Sequence, residues 1–179
     1  MAKGGSQRAK KVSTLRFLVG MVILLPVLFL FIALSTGFYR AYRVISRSME
    51  PTIKVGDHVL VSRSKGYMPK RGDIIAFELP SEPGQIITKR VIGVSGDTVT
   101  VKNGRVYLNS NEEEPNAFNQ LLAGFSNYAV KLKEDQVFVL GDNRNQSFDS
   151  LDFGPLSYEQ VYGKIIFRYW PLGRLGVIR

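Results

Sequence analysis

Residues 17–38 run for 22 positions without a charge, FLVGMVILLPVLFLFIALSTGF. As a helix at ~1.5 Å per residue, this stretch extends about 33 Å, close to the ~30 Å hydrocarbon core of a bilayer. A helix buried in a globular core keeps a polar face, and this one is apolar all round. The sequence therefore predicts a transmembrane helix over 17–38, with Pro26 as a tolerated kink. A cleavable signal peptide is the competing reading, because Ala33-Leu34-Ser35 offers small residues two apart. The apolar run exceeds the usual ~7–15 residues of such a signal, which favours an uncleaved anchor. Lys3, Arg8, Lys10, Lys11 and Arg16 precede the span, and Arg40, Arg43 and Arg47 follow it. The positive-inside bias makes 1–16 a basic cytoplasmic tail and puts 39–179 on the exported side.

Those first five cations carry much of the formal net charge of +9, leaving 19 basic against 15 acidic residues in 39–179. That distribution argues against a nucleic-acid binder, which needs a basic face within the domain. The chain has no cysteine, which excludes a disulfide framework, a thiol nucleophile and thiolate zinc. Its one histidine, His58, cannot build a multi-histidine metal site and reads as a strand or surface residue.

The exported part reads as mainly β. Candidate strands lie at 58–62, 73–79, 85–94, 98–102, 105–109, 136–140 and 164–169. Each is short, rich in Val, Ile and aromatics, and bounded by turn residues. Asn103-Gly104 between two of them predicts a type I′ hairpin. The stretch 110–135, with the acidic run Glu112-Glu113-Glu114, reads as a loop or small excursion from the sheet, and about 100–135 as a small accessory insertion. Trp170 fits core or surface packing with no catalytic role.

Without cysteine and with one histidine, the candidate nucleophiles are Ser, Thr and Lys, and the candidate bases are Lys, Asp, Glu and His58. Two polar segments are dense: SRSMEPT at 46–52, just after the apolar span, and GDNRNQSFDS at 141–150. Between them Lys89 stands at the end of an apolar strand, IITKRVIG. Each has an ordinary structural reading: a turn serine, a snorkelling lysine, an Asx turn.

Four blocks taken in order, SRSMEPTIKVGDHVLVSR (46–63), RGDIIAF (71–77), KRVIGVSGDTV (89–99) and GDNRNQSFDS (141–150), resemble the type I signal peptidases. These are membrane-anchored Ser/Lys endopeptidases that remove signal peptides from exported preproteins. The resemblance covers about 42–157 and implies an antiparallel β catalytic domain behind a single anchor. It implies a bacterial-type inner or thylakoid-like membrane, proximity to the secretion translocon, and cleavage after small, Ala-x-Ala-like residues.

By the same resemblance, Ser48 is the nucleophile and Lys89 the general base. The Ser46 hydroxyl joins the Ser48 backbone N–H in an oxyanion hole. Ser147 orients the lysine, Arg90 and Asp142 form a supporting ion pair, and Asp149 is a structural carboxylate. Val44, Met49, Ile53 and Ile87 match the wall of the pocket for the residue before the cut. Tyr42, Ala76 and Thr88 match the pocket two residues further back. No metal or organic cofactor is implied.

Elementary chemistry fits these roles. A lysine acts as a base only when neutral, and lowering its pKa from about 10.4 to ~8 takes roughly 3.3 kcal/mol. Burial among Ile86, Ile87, Val91 and Ile92 can supply that, while Arg90 points to the opposite strand face. The chain departs from the family pattern at Leu151, where a basic residue is common, and at Phe153, where Trp is common. Two other readings compete with an active signal peptidase: a self-cleaving repressor-like Ser/Lys protease, and a catalytically silent membrane-anchored domain that binds exported peptides.

Overall fold

A computed structural model describes residues 4–35, 37–64, 66–79, 82, 84–112 and 127–178. The chain forms two compact units, Met1–Tyr39 and Arg40–Arg179. The first is helix α1, Gly4–Ser35, with Pro26 inside it. Its side chains from 16 to 28 are exposed, and most of them are apolar. Among the described residues no helix is long and apolar enough to cross a membrane. The helix ends at Ser35, so Phe38 lies outside it.

The second unit is antiparallel β, as its short β-branched runs dictate. Its first strands are β1 (Tyr39–Arg43), β2 (His58–Ser62), β3 (Ile74–Glu78) and β4 (Ile86–Gly93). Then come β5 (Thr98–Lys102), β6 (Arg105–Leu108), β7 (Asn111–Glu112), β8 (Asn127–Lys131) and β9 (Gln136–Leu140). A short helix, α2 (Ser150–Phe153), precedes β10 (Leu156–Ser157), β11 (Val161–Trp170) and β12 (Gly176–Val177). One sheet has the order β1-β2-β11-β3-β4-β9-β10, with β12 also paired to β11; the other has the order β7-β6-β5-β8.

The β5–β6 turn is the expected hairpin. Asn103 and Gly104 have φ of 49° and 73°, the two left-handed positions of a type I′ turn. Within the segment 110–135, read as a loop or small excursion from the sheet, β7 and β8 extend the second sheet on either side of β5 and β6. Residues 113–126, with most of the acidic run, lie outside the described residues. Trp170 ends β11 half-exposed.

Among the described residues, three apolar clusters hold this unit together. On one face of the first sheet, Ile74 and Ala76 pack with Met49, Ile53, Val59, Val61, Ile165 and Ile178. On the other face lie Ile75, Phe77, Val91, Val137, Val139 and Leu156. A third cluster joins the sheets through Ile92, Phe138 and Leu140 on one side and Val99, Val101 and Val106 on the other. Strand β4 sends Ile86 to the first face and Ile87 and Val91 to the second, and Met49 and Ile53 of the loop between β1 and β2 pack on the first.

Candidate active site

Ser48 sits in the loop between β1 and β2. This loop is closed at its base by Val44 N–H to the Asp57 carbonyl and Gly56 N–H to the Val44 carbonyl, each at 2.9 Å. Within it the turn is tightened by Glu50 N–H to the Arg47 carbonyl and Ile53 N–H to the Met49 carbonyl. Met49 and Ile53 are buried and act as its apolar feet. A loop nailed down this way presents Ser48 in a fixed position, itself only 5% exposed.

Lys89 stands in the middle of β4, opposite Ile75 of β3. Its Nζ lies 2.8 Å from Ser48 Oγ, and the residue is 3% exposed. Burial lowers its pKa from 10.5 to about 8, against the opposing charges of Asp149 and Asp152. A buried amine that loses its proton near neutrality, touching a serine hydroxyl, is a base placed against a nucleophile.

Strand alternation sends the neighbouring Arg90 to the other face. There it forms a two-point pair with Asp142, Nε to Oδ1 at 2.7 Å and Nη2 to Oδ2 at 2.8 Å. Asp142 also accepts the Thr52 hydroxyl at 2.5 Å. Thr52 belongs to the Ser48 loop, so one carboxylate ties the serine's loop to the lysine's strand. Asn143 N–H adds a bond to the Ser48 carbonyl at 3.0 Å.

The other expected residues fall as follows. The Ser48 N–H donates to Ser46 Oγ at 3.2 Å. The amide expected to donate to an oxyanion is thus engaged by the exposed Ser46 hydroxyl, whose rotation would free it. Asp149 caps α2: its carboxylate accepts from Leu151 N–H and from Gly141 N–H, while its own N–H donates to Asp152. Burial raises its pKa, opposed by Ser147, these amides and Lys89. With Leu151 in place of a basic residue, backbone amides satisfy this carboxylate. Ser147 Oγ is buried and, among the described residues, has no hydrogen-bond partner, so it makes no bond to Lys89.

Tyr42 and Val44 pack on the cluster that holds Met49, Ile53 and Ala76, and Thr88 shares Ala76's face by register. Ile87 departs from this grouping. Paired with Phe77, it packs on the opposite face with Ile75 and Val91, because strand alternation separates it from Thr88.

Sequence reasoning missed Thr52, Asp152 and the carbonyl contacts of the C-terminal arginines described below. The motif at 46–52 held Thr52, but its partner Asp142 lies 90 positions away.

Residues 16–170 match the family model described as signal peptidase, peptidase S26. The chain belongs to the signal peptidase family. A signal peptidase I of Leptolyngbya laminosa is 36% identical over 81% of this chain and 75% of its own length. Signal peptidase IB of Staphylococcus aureus is 29% identical over 90% of this chain and 92% of its own. The chloroplastic thylakoidal processing peptidase 1 of Arabidopsis thaliana is 33% identical over 70% of this chain and 40% of that longer protein. The chain is a serine endopeptidase of signal-peptide processing.

Proposed function

We propose that this peptidase cuts signal peptides from exported preproteins after small residues, with Ser48 as nucleophile and Lys89 as general base. The observation that carries the reading is the 2.8 Å contact between Ser48 Oγ and a buried Lys89 Nζ whose pKa lies near 8. Neutral Lys89 takes the Ser48 proton as Oγ attacks the scissile carbonyl carbon. The Ser48 N–H and the Ser46 hydroxyl donate to the oxygen that becomes negative. Collapse breaks the C–N bond, and the leaving amine takes the proton back from Lys89. Lys89 then deprotonates a water that attacks the acyl carbon, and returns that proton to Ser48 Oγ as the ester C–O bond breaks.

An Ala-x-Ala-like site places two small side chains on one face of an extended peptide. Val44, Met49 and Ile53 would read the residue before the cut, with Ile87 from the strand face it shares with Lys89, and Tyr42, Ala76 and Thr88 the one two positions back. Asp142, Arg90 and Asp149 hold the two loops and the lysine strand in register. Residues 17–38 would act as a single-pass anchor in a bacterial-type or thylakoid-like membrane, with 1–16 cytoplasmic. Serine 48 is ten positions beyond Phe38, so the site would work near the bilayer surface and the translocon exit.

The test is cleavage of a preprotein with an Ala-x-Ala site by the full chain in detergent, beside Ser48→Ala and Lys89→Ala. The expected outcome is processing by the parent and a loss of at least about 10³-fold in each variant, with circular dichroism unchanged. Activity surviving Ser48→Ala would end the dyad reading. A folded parent that cleaves no preprotein would favour a peptide-binding role.

A further inference from the structure

The loop that carries Ser48 has a second attachment, made by the C-terminal part of the chain. Asp57, at the end of this loop, is 1% exposed and faces two guanidinium groups. Arg174 Nη1 donates to Oδ1 at 2.9 Å, and Arg168 Nη1 lies 3.4 Å from Oδ2. The same carboxylate accepts the Lys54 N–H at 2.9 Å. Both arginines reach past it to the loop backbone. Arg168 Nη1 donates to the Thr52 carbonyl at 2.9 Å. Arg174 Nη2 lies 3.3 Å from that carbonyl and 3.5 Å from the Pro51 carbonyl. Arg168 Nε donates to the Arg174 carbonyl, which fixes the two arginines relative to each other. Four residues beyond Arg174, Ile178 is buried in the cluster that contains Met49 and Ile53.

Thr52 is therefore gripped at both ends. Its hydroxyl is held by Asp142, and through it by Arg90 beside the general base. Its carbonyl is held by the C-terminal arginines. An ion pair with Asp57 alone would need no particular donor geometry. Donation to a carboxylate and to carbonyls together uses the planar fork of a guanidinium, which an ammonium lacks.

We infer that Arg168 and Arg174 are positioning residues of the peptidase reaction: they fix the carbonyls of Pro51 and Thr52, and so hold the Ser48 loop against Lys89. This inference rests on the Ser48–Lys89 dyad proposed above. Neither arginine touches the reacting atoms. Their removal lets the loop drift, and a nucleophile displaced by a fraction of an ångström loses turnover before it loses substrate.

The test compares the full-length parent with Ser48→Ala, Arg168→Gln, Arg174→Gln and Arg174→Lys, using cleavage kinetics normalised to the folded fraction. In the Gln variants kcat falls by about 10- to 100-fold while KM stays within about twofold. The acid limb of the pH profile keeps its midpoint, because the surroundings of Lys89 are untouched. Arg174→Lys keeps the charge but not the fork, and stays impaired. Parental kcat in the folded Gln variants overturns the inference. So does a loss confined to KM, a displaced pH midpoint, or full activity in Arg174→Lys. If the Gln variants do not fold, the Lys variant alone decides, by reduced or by parental kcat. Activity retained by Ser48→Ala fails the dyad itself; an inactive Ser48→Ala beside arginine variants of parental kcat fails only the positioning role.

Discussion

Lys89 is asked to be buried and to stay near a serine, and the two demands set its charge. Its pKa falls from 10.5 unfolded to about 8 folded because burial disfavours the ammonium. Below pH 8 both states carry the proton, and the folded state bears the whole cost of the buried charge, about 3 kcal/mol for a shift of this size. Between about pH 8 and 10.5 the unfolded chain binds more protons, so stability rises with pH and levels off above 10.5. Lys89→Met, of similar size and without charge, should therefore be more stable than the parent at pH 7 by up to about 3 kcal/mol. Chemical denaturation at pH 7 and at pH 10.5 checks this, and the gain should vanish at the higher pH. In the parent, kcat/KM should climb along an acid limb centred near pH 8. A limb centred above pH 10 would mean that the lysine is not desolvated. The apolar strand that buries Lys89 was legible in IITKRVIG, although only Ile87 and Val91 of it share the lysine's face. The opposing carboxylates Asp149 and Asp152 were not, because they reach Lys89 from a helix cap 60 positions further along the chain.

Among the elements, the loop starting at Gly141 packs tightly against the backbone of the nucleophile. A Cβ built on Gly141 would stand 2.6 Å from the Ser48 carbonyl oxygen, and would collide with Ser147 as well. A backbone carbonyl cannot swing aside as a side chain can, so the loop bearing Ser48 must move. Gly141→Ala is expected to cost about 1–3 kcal/mol by overpacking. It should also lower kcat/KM by about 100-fold through misplacement of Ser48. Thermal melts and peptide cleavage separate the two effects; parental kcat/KM in a folded variant would show that the loop accommodates a methyl without moving the serine. The strands that alternate or carry β-branched runs, such as HVLVS, TVTVK and QVFVL, were legible because burial dictates their period. Strands β1 and β8 were not: YRAYR and NYAVK hold too few apolar positions, and pairing to β2 and to β5 decides their conformation. The grip on Thr52 was equally silent, since its partners lie 90 and 116 positions away.

At the scale of the molecule, the catalytic unit and the apolar helix make separate demands. Arg40–Arg179 contains Ser48, Lys89, the two sheets and all three apolar clusters. Among the described residues, the clusters and the hydrogen bonds around the dyad are made within Arg40–Arg179. The chemistry of the cut is thus expected to survive without residues 1–38, whereas delivery of the cut to a membrane-embedded signal peptide is not. A chain lacking 1–38 should melt within a few degrees of the parent and should cleave a short soluble Ala-x-Ala peptide with parental kcat/KM. On a preprotein reconstituted in vesicles, its rate should fall by about 10²-fold or more, because tethering raises the effective concentration of enzyme at the bilayer surface. Side-by-side rates on the two substrates make the comparison internal. Equal loss on both would assign residues 1–38 to the fold of the catalytic unit, and equal activity on both would show that residues 1–38 do not act as an anchor in the reaction.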